Sequence, residues 1–352
     1  MVQKRKRAHS DASMKEIAKR CDVTTSTVSN VLRNTPSGRM SDATRKRVYN
    51  EAIRCGFHTR WDQRIDASKK HIAYVIPDRS VVYRGGTFYH ELLSNLRLHE
   101  ETTNFRFSLY VLDRECPEKI FYRAVCEDRC DAVLLSRYGP GKMLNAVAQL
   151  LPVPLISIGR SEGLICSSIG SDDYFAGQIV AEHFFEAGFR SFAAFGDKRF
   201  NYLPRIPGFF QSLTDWGIPK ESQHQFYSSD GTGIRAGQEM VDQFLAAKVE
   251  MPTGIFCNSD LIAIGAKLGF LENGVEIDKC IGIVGCDNYR DGGQSIYGIT
   301  SVDWNSQHYT EVLIDLLKDT FDGGPIQHRL IPCSLKNRAK SRLVSLSKES
   351  IN

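Results

Sequence analysis

Residues 14–33 carry the first clear alternation of apolar and polar positions, and this pattern predicts two short helices joined by a tight turn. Ser13 and Glu16 have the spacing of a capping box at the start of the first helix, and Thr24 is a suitable N-cap for the second. Apolar residues recur at helical spacing on one face of each helix: Ile17, Ala18, Cys21, Val28, Val31 and Leu32. Each helix therefore has one side that can anchor it in a small core.

A third helix is predicted near residues 42–54. Ser41 is a suitable N-cap for it, and Val48 and Ala52 give it an apolar edge. Three short amphipathic helices in succession predict an all-α domain at residues 1–57.

From residue 71 the pattern changes to short apolar runs that alternate with amphipathic segments of helical length. The apolar runs predict strands at 72–77, 107–112, 132–136, 153–158, 191–196, 254–257 and 282–285. The amphipathic segments predict helices near 87–102, 141–150, 173–188, 232–247, 259–273 and 304–321. Such alternation is typical of βαβ units, and its length favours two parallel sheets rather than one.

At 352 residues the chain is long enough for two or three domains with substantial cores. Residues 58–70 are polar and charged, and we interpret them as a hinge or linker. Residues 71–342 are interpreted as an α/β body of two parallel-sheet subdomains, and residues 343–352 as a tail.

The second predicted helix has an outer face made of small polar groups. Thr25, Ser26 and Asn30 point away from its apolar side and present hydrogen-bonding groups. A helix with one anchored side and one polar side suits the major groove of DNA, where base edges present donors and acceptors. We therefore interpret residues 1–57 as a helix-turn-helix DNA-binding domain in which these three residues contact bases.

Charge is distributed unevenly along the chain. Residues 1–70 hold 17 Lys or Arg and 7 Asp or Glu, a net charge of +10, whereas the remaining residues hold 28 and 34, a net charge of −6. This composition alone is equally consistent with a solvated basic tail, but beside a polar helix it favours contact with DNA phosphates. The residues expected to contact phosphates are Lys15, Thr24, Ser29, Arg33 and Arg45.

Several classes of protein are disfavoured. No apolar run approaches the roughly 20 residues of a membrane span, and no apolar region follows the basic N-terminus as in a secretory signal. The ten cysteines lack a zinc-binding spacing, and we interpret them as reduced thiols of a cytoplasmic protein. Neither a nucleotide-binding glycine loop nor a nucleophile elbow is found. The sequence therefore predicts no enzymatic activity and no metal or cofactor.

Segments distributed along most of the chain resemble the lactose-repressor/galactose-repressor family of bacterial transcription regulators. The most specific is IAKRCDVTTSTVSNVL at 17–32, and residues 41–57 resemble the third helix of the family. In the body, CNSDLIAIGA at 257–266 and GIVGCDN at 282–288 resemble two later signatures. The resemblance implies a helix-turn-helix head, a hinge and a two-subdomain body like a periplasmic sugar-binding protein. Such proteins usually dimerise and bind small molecules, commonly sugars, in the cleft between the subdomains.

The hinge departs from the family pattern, which has a proline and then an alanine-rich helix whose leucine wedges into the minor groove. Residues 59–66 contain no proline, and Asp66 stands where an apolar residue is expected. Ile65 is the aliphatic residue available as a wedge, with Trp61 a bulkier second choice. This difference predicts less DNA bending than the family usually shows.

The resemblance also implies an effector site in the body. Arg205 lies in an Arg-x-x-Gly-Phe motif that resembles an effector contact, Asp287 belongs to the second later signature, and Ser259 stands where the family has Asn. Trp304 and Tyr138 are candidates for an aromatic face against a sugar ring. Structural roles are the alternatives: a salt bridge for Arg205, a helix cap for Asp287 and simple packing for Trp304.

Together these features predict a sequence-specific transcriptional repressor whose affinity for operator DNA is modulated by a small polar ligand, such as a sugar. The expected partners are double-stranded operator DNA, this effector and a second copy of the chain. Two alternatives stay open: a constitutive DNA-binding regulator whose body only dimerises, and a sugar-binding protein without a role on DNA.

Overall fold

The computed structural model describes residues 13–33, 40–57, 68–77, 87–113, 115–136, 141–159, 163–197, 204–228, 233–251, 253–275, 277–288 and 298–338. They divide into two compact units. The first takes the described residues within Met1–Val82, Tyr89–Gly170 and Thr310–Leu330, and the second those within Tyr83–Phe88, Ser171–Tyr309 and Ile331–Asn352. Ile65, Tyr138 and the tail 343–352 lie outside the described residues. In the described part of the chain, no helix has the length and apolar character needed to cross a membrane.

The first unit begins with three short helices, which we call the head. They are α1 (Met14–Arg20), α2 (Thr25–Leu32) and α3 (Asp42–Cys55). Each begins at the N-cap that the sequence predicts, because the side chains of Ser13, Thr24 and Ser41 accept backbone N–H bonds that the first turns cannot satisfy themselves. The apolar positions predicted to face inward are buried, as Ile17, Val28 and Ala52 illustrate, so the three helices share one core.

The rest of the first unit is built on a six-stranded sheet. Its strands are β1 (Lys70–Ile76), β2 (Phe105–Val111), β3 (Ala132–Ser136), β4 (Leu155–Ile158), β5 (Ser167–Ser171) and β11 (His328–Ile331). Its order is β11-β5-β4-β3-β1-β2, and the pairs from β5 to β2 are parallel. The accompanying helices are α4 (Thr87–His99), α5 (Pro117–Tyr122), α6 (Gly141–Leu150) and α12 (Ser306–Phe321), with a π-helical turn at Arg123–Glu127 directly after α5.

The second unit contains a second six-stranded sheet. Its strands are β6 (Ser191–Asp197), β7 (Gln223–Ser228), β8 (Thr253–Cys257), β9 (Ile281–Cys286), β10 (Thr300–Asp303) and β12 (Ser334–Lys336). Their order is β12-β10-β9-β8-β6-β7, and all pairs are parallel except β10 with β12. The helices are α7 (Asp173–Glu186), α8 (Arg205–Asp215), α9 (Ile234–Ala246), α10 (Asp260–Glu272) and the short α11 (Ile277–Cys280). The all-α head and the two predominantly parallel sheets confirm the predicted fold class.

Glycines bring the helices of the second unit into close contact in pairs. A Cβ at Gly177 of α7 would lie 2.0 Å from the carbonyl oxygen of Arg205, and one at Gly208 of α8 would lie 2.2 Å from that of Tyr174. Helices α9 and α10 cross in the same way at Gly237 and Gly265. The first crossing matters for the site described below, because it places the start of α8 against the start of α7.

Candidate functional site

The first candidate surface is the outer face of α2. Thr25, Ser26 and Asn30 are exposed, as the sequence predicts. The opposite side of the helix is buried in the head core: Val28, Val31 and Leu32. The helix therefore presents hydroxyl and amide groups outward from a firmly anchored backbone, which is the requirement for reading base edges in the major groove.

A cluster of hydroxyl groups orders the first turn of α2. The Thr24 Oγ1 atom accepts a hydrogen bond from the backbone N–H of Thr27 at 3.1 Å. The same oxygen lies 2.8 Å from Ser26 Oγ and 2.9 Å from Thr27 Oγ1. A base or phosphate that binds Ser26 would therefore have to replace its hydrogen bond with Thr24. Thr25 and Asn30 make no such side-chain bond among the described residues.

The five predicted phosphate contacts lie on the head with different degrees of exposure. Lys15, Thr24 and Arg33 are exposed, whereas Ser29 and Arg45 are half-buried. A buried carboxylate also joins α1 to α3, since Glu51 accepts hydrogen bonds from Arg20 at 2.9 Å and Arg54 at 3.0 Å. The contacts of Glu51 help to hold α1 against α3. The five assignments to DNA phosphates stay predictions.

The second candidate site lies in the second unit, at the carboxyl ends of three neighbouring strands. Asn258 follows β8, Asp287 follows β9 and Trp304 follows β10. Arg205, the first residue of α8, is brought to the same edge. Ligand sites of α/β proteins are commonly built at this edge of the sheet.

Arg205 is almost fully buried and is bonded to several groups of its own chain. Its Nε and Nη2 atoms donate to Asp173 Oδ1 at 2.9 and 2.6 Å, and Nη1 donates to the Asn258 carbonyl at 2.7 Å and the Cys286 sulfur at 3.2 Å. Burial alone would lower the pKa of the guanidinium, but the charges of Asp173 and Asp287 outweigh it and raise this pKa. Arg205 is therefore a permanently charged, internally paired group.

Asp287 and Trp304 are held directly beside Arg205. The indole N–H of Trp304 donates to Asp287 Oδ1 at 3.0 Å, and the same oxygen lies 3.9 Å from Arg205 Nη1. The guanidinium carbon lies 5.0 Å from the centre of the Trp304 ring, in a cation–π arrangement. The structure thus brings together three of the predicted effector residues, and of the three Asp287 has the most exposed side chain.

The backbone at this site is in an uncommon conformation. Asp287 has a φ of 116° and Asn288 a φ of 46°, and Asn305, next to Trp304, has a φ of 48°. Asparagine adopts φ values near 50° more readily than most residues, but a φ of 116° is rare for any residue other than glycine, and such outliers cluster at functional sites. These backbone segments carry Asp287 and Trp304, whose side chains are hydrogen-bonded to each other.

Ser259, the fourth described effector candidate, has a structural role in this arrangement. Its side chain is the N-cap of α10 and accepts the backbone N–H of Ile262. The next residue, Asp260, is buried and accepts a 2.6 Å hydrogen bond from Ser301. The assignment of Ser259 to the effector site stays a prediction. The same holds for Tyr138, which lies outside the described residues.

Sequence reasoning missed the partners of Arg205. These partners are the Asp173 carboxylate, the Asn258 carbonyl and the Cys286 thiol. The signal was available in part, because Cys286 directly precedes Asp287 and Asn258 directly precedes Ser259. Among the described residues, no group of three or more His, Cys, Asp or Glu side chains is placed to hold a metal ion.

Comparison with known proteins finds a match for the head and one for most of the body. Residues 13–59 match the family described as bacterial regulatory proteins, lacI family, and residues 181–339 match the periplasmic binding protein-like domain. The HTH-type transcriptional repressor PurR of Erwinia tasmaniensis is 23% identical over 332 residues, which cover 88% of this chain and 90% of the relative.

Two solved structures have the same fold. A LacI family transcriptional regulator from Enterococcus faecium with bound ribose superposes with a TM-score of 0.65 at 20% identity, covering 78% of this chain and all of the other. The lac repressor dimer bound to operator superposes with a TM-score of 0.66 at 18% identity. The superposition covers 94% of this chain and 99% of the lac repressor chain. The head and body thus define a DNA-binding transcription regulator with a periplasmic-binding-protein-like body. The head of the chain matches the lacI family of bacterial regulatory proteins, and residues 181–339 match the periplasmic binding protein-like domain.

Proposed function

We propose that this chain represses transcription by binding, as a homodimer, to a near-palindromic operator. The observation that carries the proposal is the exposed polar face of α2, where Thr25, Ser26 and Asn30 stand opposite a buried apolar side. Each subunit would place one α2 in the major groove of one half-site. The operator-bound lac repressor dimer, which shares the fold, supports the same arrangement here.

Selection from random DNA with the full-length chain tests this proposal. We expect a motif with two-fold symmetry, in which Asn30 sets the preference at one base pair of each half-site. Asn30→Ala should relax that preference and weaken binding by about 1–3 kcal/mol. Asn104→Ala, a matched change at an exposed position of the body, should leave motif and affinity unchanged. Recovery of sequences without two-fold symmetry would contradict the proposal.

We further propose that a small polar ligand, of the sugar class, binds at Asp287 and Trp304. A partly exposed carboxylate suits sugar hydroxyls, and an indole ring suits the apolar face of a sugar. The bound ribose of the related Enterococcus faecium regulator supports this ligand class. Arg205 would then hold Asp287 and Trp304 in position through the contacts described above.

Calorimetry with a panel of sugars and sugar acids tests the ligand site. Asp287→Asn and Arg205→Ala should both abolish any binding that is found, whereas Arg329→Ala, at an exposed arginine of the first unit, should not. Unchanged affinity in Asp287→Asn would remove this residue from the site.

One observation favours a constitutive regulator instead. Arg205 is only 4% exposed and is already bonded to Asp173, Asn258 and Cys286. A guanidinium whose hydrogen bonds are already made within the chain has less need of a ligand. Gel-shift titrations with and without the same panel separate the two functions, because a constitutive regulator would show one operator affinity throughout.

A further inference from the structure

The head packs directly on the body of the same chain, through α3. The ring of Tyr49 on α3 lies 5.4 Å from that of Tyr122 at the end of α5, with the ring planes tilted by 43°. One turn further along α3, the carbonyl oxygen of Ala52 accepts a hydrogen bond from the thiol of Cys126 in the π-helical turn, at 3.7 Å. All four residues are buried, so we call this contact the α3 dock.

The α3 dock makes the apolar core of the head continuous with that of the first unit. Head residues such as Ile53 and body residues such as Phe121 and Ala124 belong to one buried cluster. The contact is therefore a packed interface of the kind found within domains, where a displaced side chain affects its neighbours.

Tyr49 also links the α3 dock to the recognition helix. Its ring touches Tyr122, while its hydroxyl donates a buried hydrogen bond of 2.9 Å to the carbonyl of Val31, at the end of α2. Tyr122 is thus linked through Tyr49 to α2, the predicted recognition helix that carries Thr25 and Asn30. This path does not pass through residues 58–67, which connect the head to the body along the chain.

Charge is complementary across the α3 dock. Arg45 and Lys46 lie on the α3 side, and Asp113 and Glu127 on the body side. Burial raises the pKa of Tyr49 to about 12, and the negative charges of Glu127 and Asp113 contribute to the rise. Positive charges on α3 thus lie near negative charges of the body, beside which the body also carries Lys119 and Arg123.

The α3 dock is also imperfect in a way that suits a separable contact. The hydroxyl oxygen of Tyr122 is buried with no hydrogen-bond partner in the described part of the chain. This oxygen could bond to water if the head moved away, so the docked arrangement carries a desolvation cost that undocking relieves. The π-helical turn next to Tyr122 is a further irregularity, and such turns are frequent at functional sites.

We propose that the α3 dock, rather than the hinge segment, sets the position of each recognition helix relative to the body. Docking covers α3 but leaves Thr25, Ser26 and Asn30 exposed, so a docked head can read DNA. A docked head does not depend on residues 58–67, which contain no proline, for its placement. In a dimer, the two bodies would then fix the distance between the two recognition helices.

The first test uses no DNA, so it does not depend on the proposed function. In the full-length protein, Tyr122→Ala should make the Cys126 thiol react severalfold faster with a maleimide, as mapped by mass spectrometry. Tyr122→Phe is the matched control, since it keeps the ring and removes only the unpartnered hydroxyl, and it should react as slowly as the parent. Equal labelling rates in the parent and Tyr122→Ala would overturn the α3 dock.

If Tyr122→Ala impairs folding because a buried ring is lost, a charge variant provides the same test. Glu127→Lys places a positive charge opposite the basic side of α3 at an exposed position, and should also speed the labelling of Cys126. Glu101→Lys makes the same charge change at an exposed position of the loop before β2 and should not. Equal rates in these two variants would again overturn the proposal.

The second test asks whether the α3 dock sets the spacing of the heads, and it rests on the proposed function. The parent should lose operator affinity when one or two base pairs are inserted between the half-sites, because docked heads cannot follow them. Tyr122→Ala or Glu127→Lys should bind the lengthened operators almost as well as the original. Failure to find an operator would contradict the proposed function, whereas retained spacing dependence in both variants would contradict the role of the α3 dock.

Discussion

Arg205 donates two hydrogen bonds to the same oxygen of Asp173, from Nε at 2.9 Å and from Nη2 at 2.6 Å. Both side chains are at least nine-tenths buried. Arg205 is the residue that the sequence motif assigns to an effector contact. In the structure it forms a buried ion pair with Asp173, which joins α8 to α7. Any effector contact of Arg205 has to be made by a group whose charge is already balanced by the protein.

Loss of this pairing should destabilise the second unit strongly. Asp173→Asn leaves the guanidinium of Arg205 buried without its main counter-charge, and breaking a buried pair in this way costs about 3–5 kcal/mol. Urea unfolding measures the loss. Asp315→Asn is the control, since the exposed pair of Asp315 with Lys318 should contribute less than about 1 kcal/mol. Similar losses in the two variants would show that Arg205 finds other compensation.

Much of the fold could be predicted because its central elements have a strong hydrophobic pattern. All seven predicted strands are present, since each is a largely buried apolar run. Six of them lie in the interior of a sheet, whereas β2 lies at an edge. The five missed strands carry a weaker signal. Strand β10 reads TSVD and is only four residues long. Strand β5 reads SSIGS and is buried through serine and glycine, which have little hydropathy, while β7, β11 and β12 lie at sheet edges and are partly exposed.

The sites were predictable in type more than in detail. Helix spacing alone places Asn30 on the outer face of α2 and Val28 on the inner face, because that choice depends only on local geometry. The pairing of Arg205 with Asp173 and the contact of Tyr49 with Tyr122 join residues that are far apart in sequence. Such contacts depend on how helices cross, and no local pattern encodes them.

Close crossing of α7 and α8 should be sensitive to a single methyl group. In Gly208→Ala the new Cβ would meet the backbone oxygen of Tyr174 at 2.2 Å, so the helices must separate, at a cost of about 1–3 kcal/mol. Thermal or urea unfolding tests this. Gly269→Ala is the matched helical control: its nearest contact is 3.2 Å, and the better helix propensity of alanine, roughly 0.5–1 kcal/mol, should offset it. A Gly208→Ala variant as stable as Gly269→Ala would argue against tight crossing.

The hydroxyl cluster at the start of α2 should separate stability from DNA affinity. Thr24→Ala removes the N-cap and should destabilise the head by about 1 kcal/mol, whereas Thr25→Ala removes an exposed hydroxyl and should leave stability unchanged. Hydrogen exchange of the α2 amides measures the first effect. Gel shifts measure the second, because Thr25→Ala should weaken operator binding without loosening the helix. If Thr25→Ala loosens α2 as much as Thr24→Ala does, the cap has been assigned to the wrong residue.

His71 should make the stability of the first unit depend on pH. Its ring is buried in β1, with Nδ1 3.0 Å from the Asp128 carbonyl oxygen and Nε2 2.9 Å from Ser108 Oγ. Because a carbonyl can only accept, Nδ1 carries the proton and Nε2 accepts from the Ser108 hydroxyl, which is the neutral form of the ring.

Burial lowers the pKa of His71 below its ordinary value of 6.5. Below pH 6.5 the unfolded chain therefore binds a proton that the folded protein resists, so stability is full above that pH and falls as the pH drops through the folded pKa. Urea unfolding between pH 7.5 and 5 measures the slope. His71→Asn should be less stable at every pH but should lack this part of the decline, whereas His90→Asn, at an exposed histidine of α4, should keep the parental slope. An unchanged slope in His71→Asn would assign the decline to other groups.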